Sequence, residues 1–130
     1  MVQRLLTAGG APLAIDEGES FDMTVTLRDT KDNILDAAAV STFTLTLFND
    51  TTKAPTIINS RNAQDIQSAN GTTISGGVAT VRLDALDNVI AGTLDEIHIA
   101  RIAFTWNDGQ RTRTGKEDFR FTVRNLAAPT

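Results

Sequence analysis

From Phe21 to Arg28 the side chains alternate without a break: Phe21, Met23, Val25 and Leu27 fall on one side of an extended chain, Asp22, Thr24, Thr26 and Arg28 on the other. A period of two is what a half-buried β-strand requires, whereas a helix would scatter these apolar groups around its circumference. The alternation returns at Phe43, Leu45 and Leu47 against Thr42, Thr44 and Thr46, and again at Ala79, Val81 and Leu83 against Thr80 and Arg82. Shorter β-branched runs occur at Thr56-Ile57-Ile58 and Thr72-Thr73-Ile74. A last long segment runs from Gln110 to Arg124 with Phe119, Phe121 and Val123 inward, and Gly115 marks a bulge or second turn. Between Glu96 and Trp106 the apolar phase slips near Ala100, which predicts a bulge or a central strand buried on both faces.

Turn chemistry separates these runs. Asp29 to Asn33 and Asn107-Asp108-Gly109 carry side chains that bond their own backbone, Ser75-Gly76-Gly77 suits a hairpin, and 61 to 71 reads as irregular, with Asn70-Gly71 as a helical stop or a type I′ turn. Asp84 to Ile90 reads as one helical turn with an acidic N-cap, crossing between sheets. Roughly seven strands at spacings of about ten residues, with no long helix, predict an all-β sandwich or barrel. At 130 residues, 41% hydrophobic and 22% charged, one soluble globular domain is expected. Its expected boundaries are an N-terminal arm over 1–19, a sandwich over 20–126 and a tail over 127–130.

Composition narrows the chemistry. Twelve basic against sixteen acidic residues give a net charge of −4, a poor match to a phosphate backbone, so no nucleic-acid partner is expected. Zero Cys excludes a disulfide framework, thiolate catalysis and Cys-ligated zinc. The first fifteen residues are interrupted by Gly9, Gly10 and Pro12, so neither an export signal nor a membrane span is expected. The apolar arm, Leu5, Leu6, Leu13, Ala14 and Ile15, suits either a contact on a neighbouring subunit or an edge strand on its own domain.

No catalytic constellation stands out, and no enzyme is expected. The single His98 lies in an apolar strand, where a packed, hydrogen-bonded role outweighs that of a general base, and none of the five serines lies in a nucleophile elbow. Asp29, Asp32, Asn33 and Asp36 lack the spacing of a calcium loop and read as turn chemistry, so neither metal nor cofactor is expected. The adjacent acids Asp95-Glu96 and Glu117-Asp118 point to opposite faces of a strand and cannot share a site. With no Tyr, and Trp106 in an apolar strand, a sugar-stacking platform is poorly provided.

Charge is unevenly distributed. Asp16 to Asp36 holds seven acids against Arg28 and Lys31, and Arg111 to Arg124 holds five bases against Glu117 and Asp118. Such poles suit head-to-tail self-association, or else pair with each other across one sheet. On this basis Leu5, Leu6, Leu13 and Ile15 are the expected interface anchors, with Arg111, Arg113 and Lys116 as electrostatic support.

The run Phe21 to Asn33, leading through Asp36-Ala37 to the strand Phe43 to Phe48, resembles the strand-turn-strand of immunoglobulin-like modules of bacterial and phage surface proteins, with Asp32 where that turn usually carries Gly. The segments Asn59 to Gly71, Leu83 to Asn88, His98 to Arg101 and Phe119 to Leu126 look like a family of small structural proteins of tailed phages and prophages. That resemblance implies an immunoglobulin-like β-sandwich with an N-terminal arm. It also implies a virion structural role, foremost as a capsid decoration protein on the major capsid protein, with a neck, tail or baseplate adaptor next. The expected location is the virion, assembled in the host cytoplasm, with a homo-oligomer as the working form. A glycan-binding adhesion module is the competing reading.

Overall fold

A computed structural model describes residues 6–9, 14–29, 31, 33–36, 39–50, 55–67, 69–90 and 94–125, with side chains from 14 onward. Leu5, Leu13, Asp32 and the tail lie outside the described residues. The fold is all-β, two sheets packed face to face on one apolar core.

The strands in chain order are β1 (Leu6–Gly9), β2 (Ala14–Asp16), β3 (Phe21–Leu27), β4 (Val40–Asn49), β5 (Thr56–Ile57), β6 (Gln64–Asp65), β7 (Thr72–Ser75), β8 (Val78–Leu83), β9 (Glu96–Asn107) and β10 (Thr112–Arg124). One sheet has the order β1-β3-β8-β7. The other has the order β2-β10-β9-β4-β5, with β6 also pairing β4. Seven of these strands occupy the segments that the hydrophobic pattern marks. The other three are β1 and β2 in the arm and β6 in the stretch that reads as irregular.

The period of two is realised as expected. Met23, Val25 and Leu27 on β3, Phe43, Leu45 and Leu47 on β4, and Ala79, Val81 and Leu83 on β8 all face the core. On β9 the inward positions are Glu96, His98, Ala100, Ile102, Phe104 and Trp106, and the pairing with β10 runs unbroken from Glu96 to Asn107. There is therefore no bulge at Ala100; the other expectation holds, since β9 lies inside its sheet between β10 and β4 and buries Ile99 on its outward side as well. The apparent slip arises because the first two inward positions carry a carboxylate and an imidazole, while Ile97 and Ile99 face outward. The sheet's irregularity falls instead in β4, between Val40 and Thr42. Gly115 is likewise neither bulge nor turn, but lies buried directly opposite Phe104.

The arm is woven into both sheets. β1 pairs antiparallel with β3, Leu6 opposite Leu27, and β2 pairs parallel with β10, Ile15 opposite Val123. Of the two readings open for this segment, the structure takes the edge strand on its own domain.

The two ends of the sandwich differ. One end, here the hairpin end, carries the 76–77 turn, the β9–β10 turn and the segment after β3. The other, the crossing end, carries 17–20, 84–90, Leu94, Asp95 and Asn125. At the hairpin end Gly77 has φ +86, and a Cβ there would stand 2.6 Å from the Leu35 carbonyl oxygen and collide with Ile34, whereas Gly76 at φ +57 faces open space. Gly76→Ala should therefore cost only the left-handed penalty of about 1–2 kcal/mol, and Gly77→Ala measurably more, as read from chemical denaturation midpoints.

Candidate functional site

The expected interface residues are distributed as follows. Leu5 and Leu13 are outside the described residues, and Leu6 is placed through its backbone pairing in β1. Ile15 corrects the arm reading: it is a core residue of its own domain, because β2 lies against β10 with alternate side chains turned inward. Arg111 is exposed in the β9–β10 turn, and Arg113, on the inward side of β10, places Nε 2.7 Å from Asp108 Oδ2. Lys116 is exposed on the opposite face of the same strand. The structure thus brings Arg111 and Arg113 together and separates Lys116 from them.

The charge poles of the sequence are partly paired within the molecule. Arg124 pairs with Asp16 at 2.9 Å, a contact that joins the two poles. The remaining partners come from elsewhere: Arg120 reaches Asp50 at 3.0 Å, and Asp118 receives two bonds from Arg101. The hydrogen bonds from Arg101 hold its guanidinium more firmly protonated than usual, and its Cζ also lies 5.2 Å from the Phe48 ring centroid.

Turn carboxylates are equally occupied. Asp29 Oδ1 accepts the amides of Lys31 and Asn33, and Asp108 Oδ1 accepts those of Gln110 and Arg111. These backbone donors are the main cause that holds both carboxyls below their ordinary range, as Asx-turn geometry requires. Between the two turns lies a cleft of about 660 Å³, lined by Lys31, Leu35, Trp106, Gln110 and Arg113 among others. Trp106 is only 3% exposed and stacks on Phe104 at 5.2 Å, so the indole packs the core and offers little face to a sugar.

The polar centre that sequence reasoning missed is a buried ion pair. Arg61 lies between β5 and β6, and Asp87 closes a single 3₁₀ turn over Ala85–Asp87. Arg61 Nε meets Asp87 Oδ1 at 2.6 Å and Nη2 meets Oδ2 at 2.9 Å, with both side chains almost sealed from solvent. Nη1 reaches Gln64 Oε1 at 3.0 Å, and longer contacts of 3.5 Å run to the carbonyls of Asn70 and Arg82. All five guanidinium donors thereby point at acceptors. Asp87 also accepts from Asn59 Nδ2 and from the Asp84 amide. The only sequence signal is the Asp84-x-x-Asp87 spacing of a helical cap.

His98 is fully buried, with Nε2 3.0 Å from Glu96 Oε1 and its ring edge-on to Phe121. A neutral imidazole donating from Nε2 satisfies this contact, and Nδ1 has no hydrogen-bond partner among the described residues. Burial pushes its pKa below the ordinary 6.5, against the opposing pull of Glu96. Among the described residues there is no group of three or more potential metal ligands, and no helix is long and apolar enough to cross a membrane. No protein-family model and no curated protein matches this chain.

Two measurements probe these centres. Arg61→Met leaves the Asp87 carboxylate buried without its cation and should cost about 3–5 kcal/mol, while Arg61→Met with Asp87→Leu should lose less than the sum of the singles by up to about 3 kcal/mol in a denaturation cycle. For His98, the unfolded chain binds a proton below pH 6.5 that the folded core resists. Stability is therefore full above pH 6.5 and falls as the pH drops below it. His98→Gln should flatten that decline in denaturant midpoints measured across the range.

Proposed function

We propose that this chain works by binding, as a virion structural protein of a tailed bacteriophage, foremost a capsid decoration protein on the major capsid protein. The observation that carries the binding reading is the distribution of polar chemistry. The sole histidine is buried against Glu96 and Arg61 is buried against Asp87, while large apolar side chains stand exposed at the two ends of the fold: Leu86 and Leu94 at one, Ile34 at the other. Exposed apolar groups beside charges are what protein–protein contacts use. The phage assignment rests on the sequence resemblance.

The strand order supports the finer fold reading. An edge segment that leaves one sheet to pair in parallel with the last strand of the other, and sheet orders that correspond to ABED and GFC, fit an immunoglobulin-like sandwich. The buried Trp106 counts against the glycan-binding alternative. Arg111 and Lys116 remain candidate electrostatic contacts, because both are exposed.

Purified particles provide the test. Quantitative mass spectrometry should find the protein bound to shells in hundreds of copies, in fixed ratio to the major capsid protein, and released shells should rebind it. A dozen or so copies confined to the neck or tail would favour the adaptor role, and absence from particles would defeat the virion reading.

A further inference from the structure

Asn70-Gly71, in the turn that leads into β7, is the one place in this chain where glycine follows asparagine. Such a pair can close on itself: the amide nitrogen of the second residue attacks the side-chain carbonyl carbon of the first, and a residue without Cβ leaves that approach unobstructed. The reaction needs an amide that is not already bonded and a carboxamide open to water. Both are present. Asn70 and Gly71 are exposed, and among the described residues the Gly71 amide donates no hydrogen bond, while the Gly71 carbonyl accepts from the Arg82 amide. The Asn70 carboxamide is tethered by Nδ2, which donates to the Asp65 carbonyl at 2.7 Å. That bond is neutral and solvent-exposed, so it opens at little cost.

Most other asparagines are guarded. The amides that follow Asn49, Asn62 and Asn107 are already committed, Asp50 donating to the Ile97 carbonyl, Ala63 to Thr46 Oγ1 and Asp108 to the Arg111 carbonyl. Asn88 is buried, Asn33 precedes the β-branched Ile34, and the Asn59 carboxamide donates to Asp87 inside the Arg61 centre. Asp108-Gly109 shares the turn sequence but not the chemistry. The Gly109 amide donates to Asn107 Oδ1 at 2.8 Å, and the Asp108 carboxylate accepts from Gln110, Arg111 and Arg113, which keep it an anion and therefore a poor electrophile.

We propose that Asn70 is a site of spontaneous covalent modification, at which the folded chain converts asparagine to isoaspartate and aspartate with water as co-reactant, and that the conversion loosens the loop held by Arg61. The Gly71 nitrogen gives its proton to solvent base and bonds to Asn70 Cγ. The Cγ–Nδ2 bond then breaks, Nδ2 leaves as ammonia, and a cyclic imide remains. Water opens the ring at either carbonyl: cleavage of the new Cγ–N bond yields aspartate, and cleavage of the original peptide bond leaves the chain running through Cγ as isoaspartate. Either product loses the donor that bonds the Asp65 carbonyl and adds a negative charge. The isoaspartyl link also lengthens the main chain by a carbon beside the Asn70 carbonyl that Arg61 Nη1 approaches at 3.5 Å, so the loop no longer fits that centre.

The test is incubation of the full chain at neutral and mildly alkaline pH, followed by ion-exchange chromatography and mass spectrometry of the tryptic peptide 62–82, which carries Asn62 and Asn70. A more acidic species should accumulate in step with released ammonia, faster as hydroxide rises, with the change at Asn70 and isoaspartate in excess. Asn70→Gln, whose longer side chain has to close a larger ring, should abolish that species, and Gly71→Ala should slow it severalfold. Gly71 sits at φ +90, a strained position for alanine, so the glutamine variant decides if the alanine chain fails to fold. The isoaspartyl chain, separated on the column, should unfold at a lower denaturant midpoint than the intact one. An Asn70 that stays intact in the folded chain overturns the proposal, and so does conversion confined to the urea-unfolded chain, where the turn no longer exists. Preferential conversion at another asparagine, or an isoaspartyl chain as stable as the intact one, overturns it equally.

Discussion

The contact between Arg61 and Asp87 closes the part of the sandwich that strand pairing leaves open. β5 and β6 contribute only two residues each, and the chain between them passes through left-handed positions at Asn59, Ser60 and Ala63, with φ of 53, 58 and 49. Non-glycine residues hold such angles at a cost of about 1–2 kcal/mol each, so something nearby must over-determine the path. The guanidinium does so by bonding the 3₁₀ turn, β6 and the carbonyls of Asn70 and Arg82 at once. A buried ion pair adds little net stability compared with apolar packing of the same volume. Its value here is positional: the 3₁₀ turn, the short β6, the loop at Asn70 and the end of β8 meet at one planar, five-donor group.

Legibility from sequence follows the length over which a pattern repeats. β3, β4 and β8 declare themselves because Phe21 to Leu27, Phe43 to Leu47 and Ala79 to Leu83 repeat a period of two long enough to exclude a helix. β2 and β6, with three and two residues, hold their places through backbone bonds to β10 and β4, which leave no side-chain signature. Arg61 and Asp87 are 26 residues apart in segments without periodicity, so only the folded chain brings them together. On β9 the reading partly failed for a different reason. Glu96 and His98 occupy core positions, and a pattern that assigns polar residues to the outside shifts the phase there.

That misread end also explains how His98 is tolerated. Glu96 accepts its one donated proton, Phe121 packs edge-on against the ring, and Asn49 lies directly opposite in β4. The arrangement favours the neutral imidazole, since desolvation outweighs the attraction of one carboxylate. A general base would need a path to substrate, and the ring is closed off by the core around it. The sole histidine thus belongs to packing, at a price in acid tolerance.

The broad outer faces and the narrow ends are unequal as binding surfaces for a reason of solvation. On the outer face of β9 and β10 Arg101 is matched with Asp118 and Arg120 with Asp50, and hydroxyls such as Thr42 and Thr105 bond each other. On the opposite sheet Arg82 lies against Asp22. Covering such groups with a partner removes water from pairs that are already satisfied, which returns little and costs desolvation. At the ends the balance reverses. Leu86, Leu94 and Ile34 shed ordered water when covered, a gain that the matched charges of the faces do not offer. The same internal pairing that occupies the charges of the faces leaves the loops at the ends as the surfaces where covering apolar groups costs least.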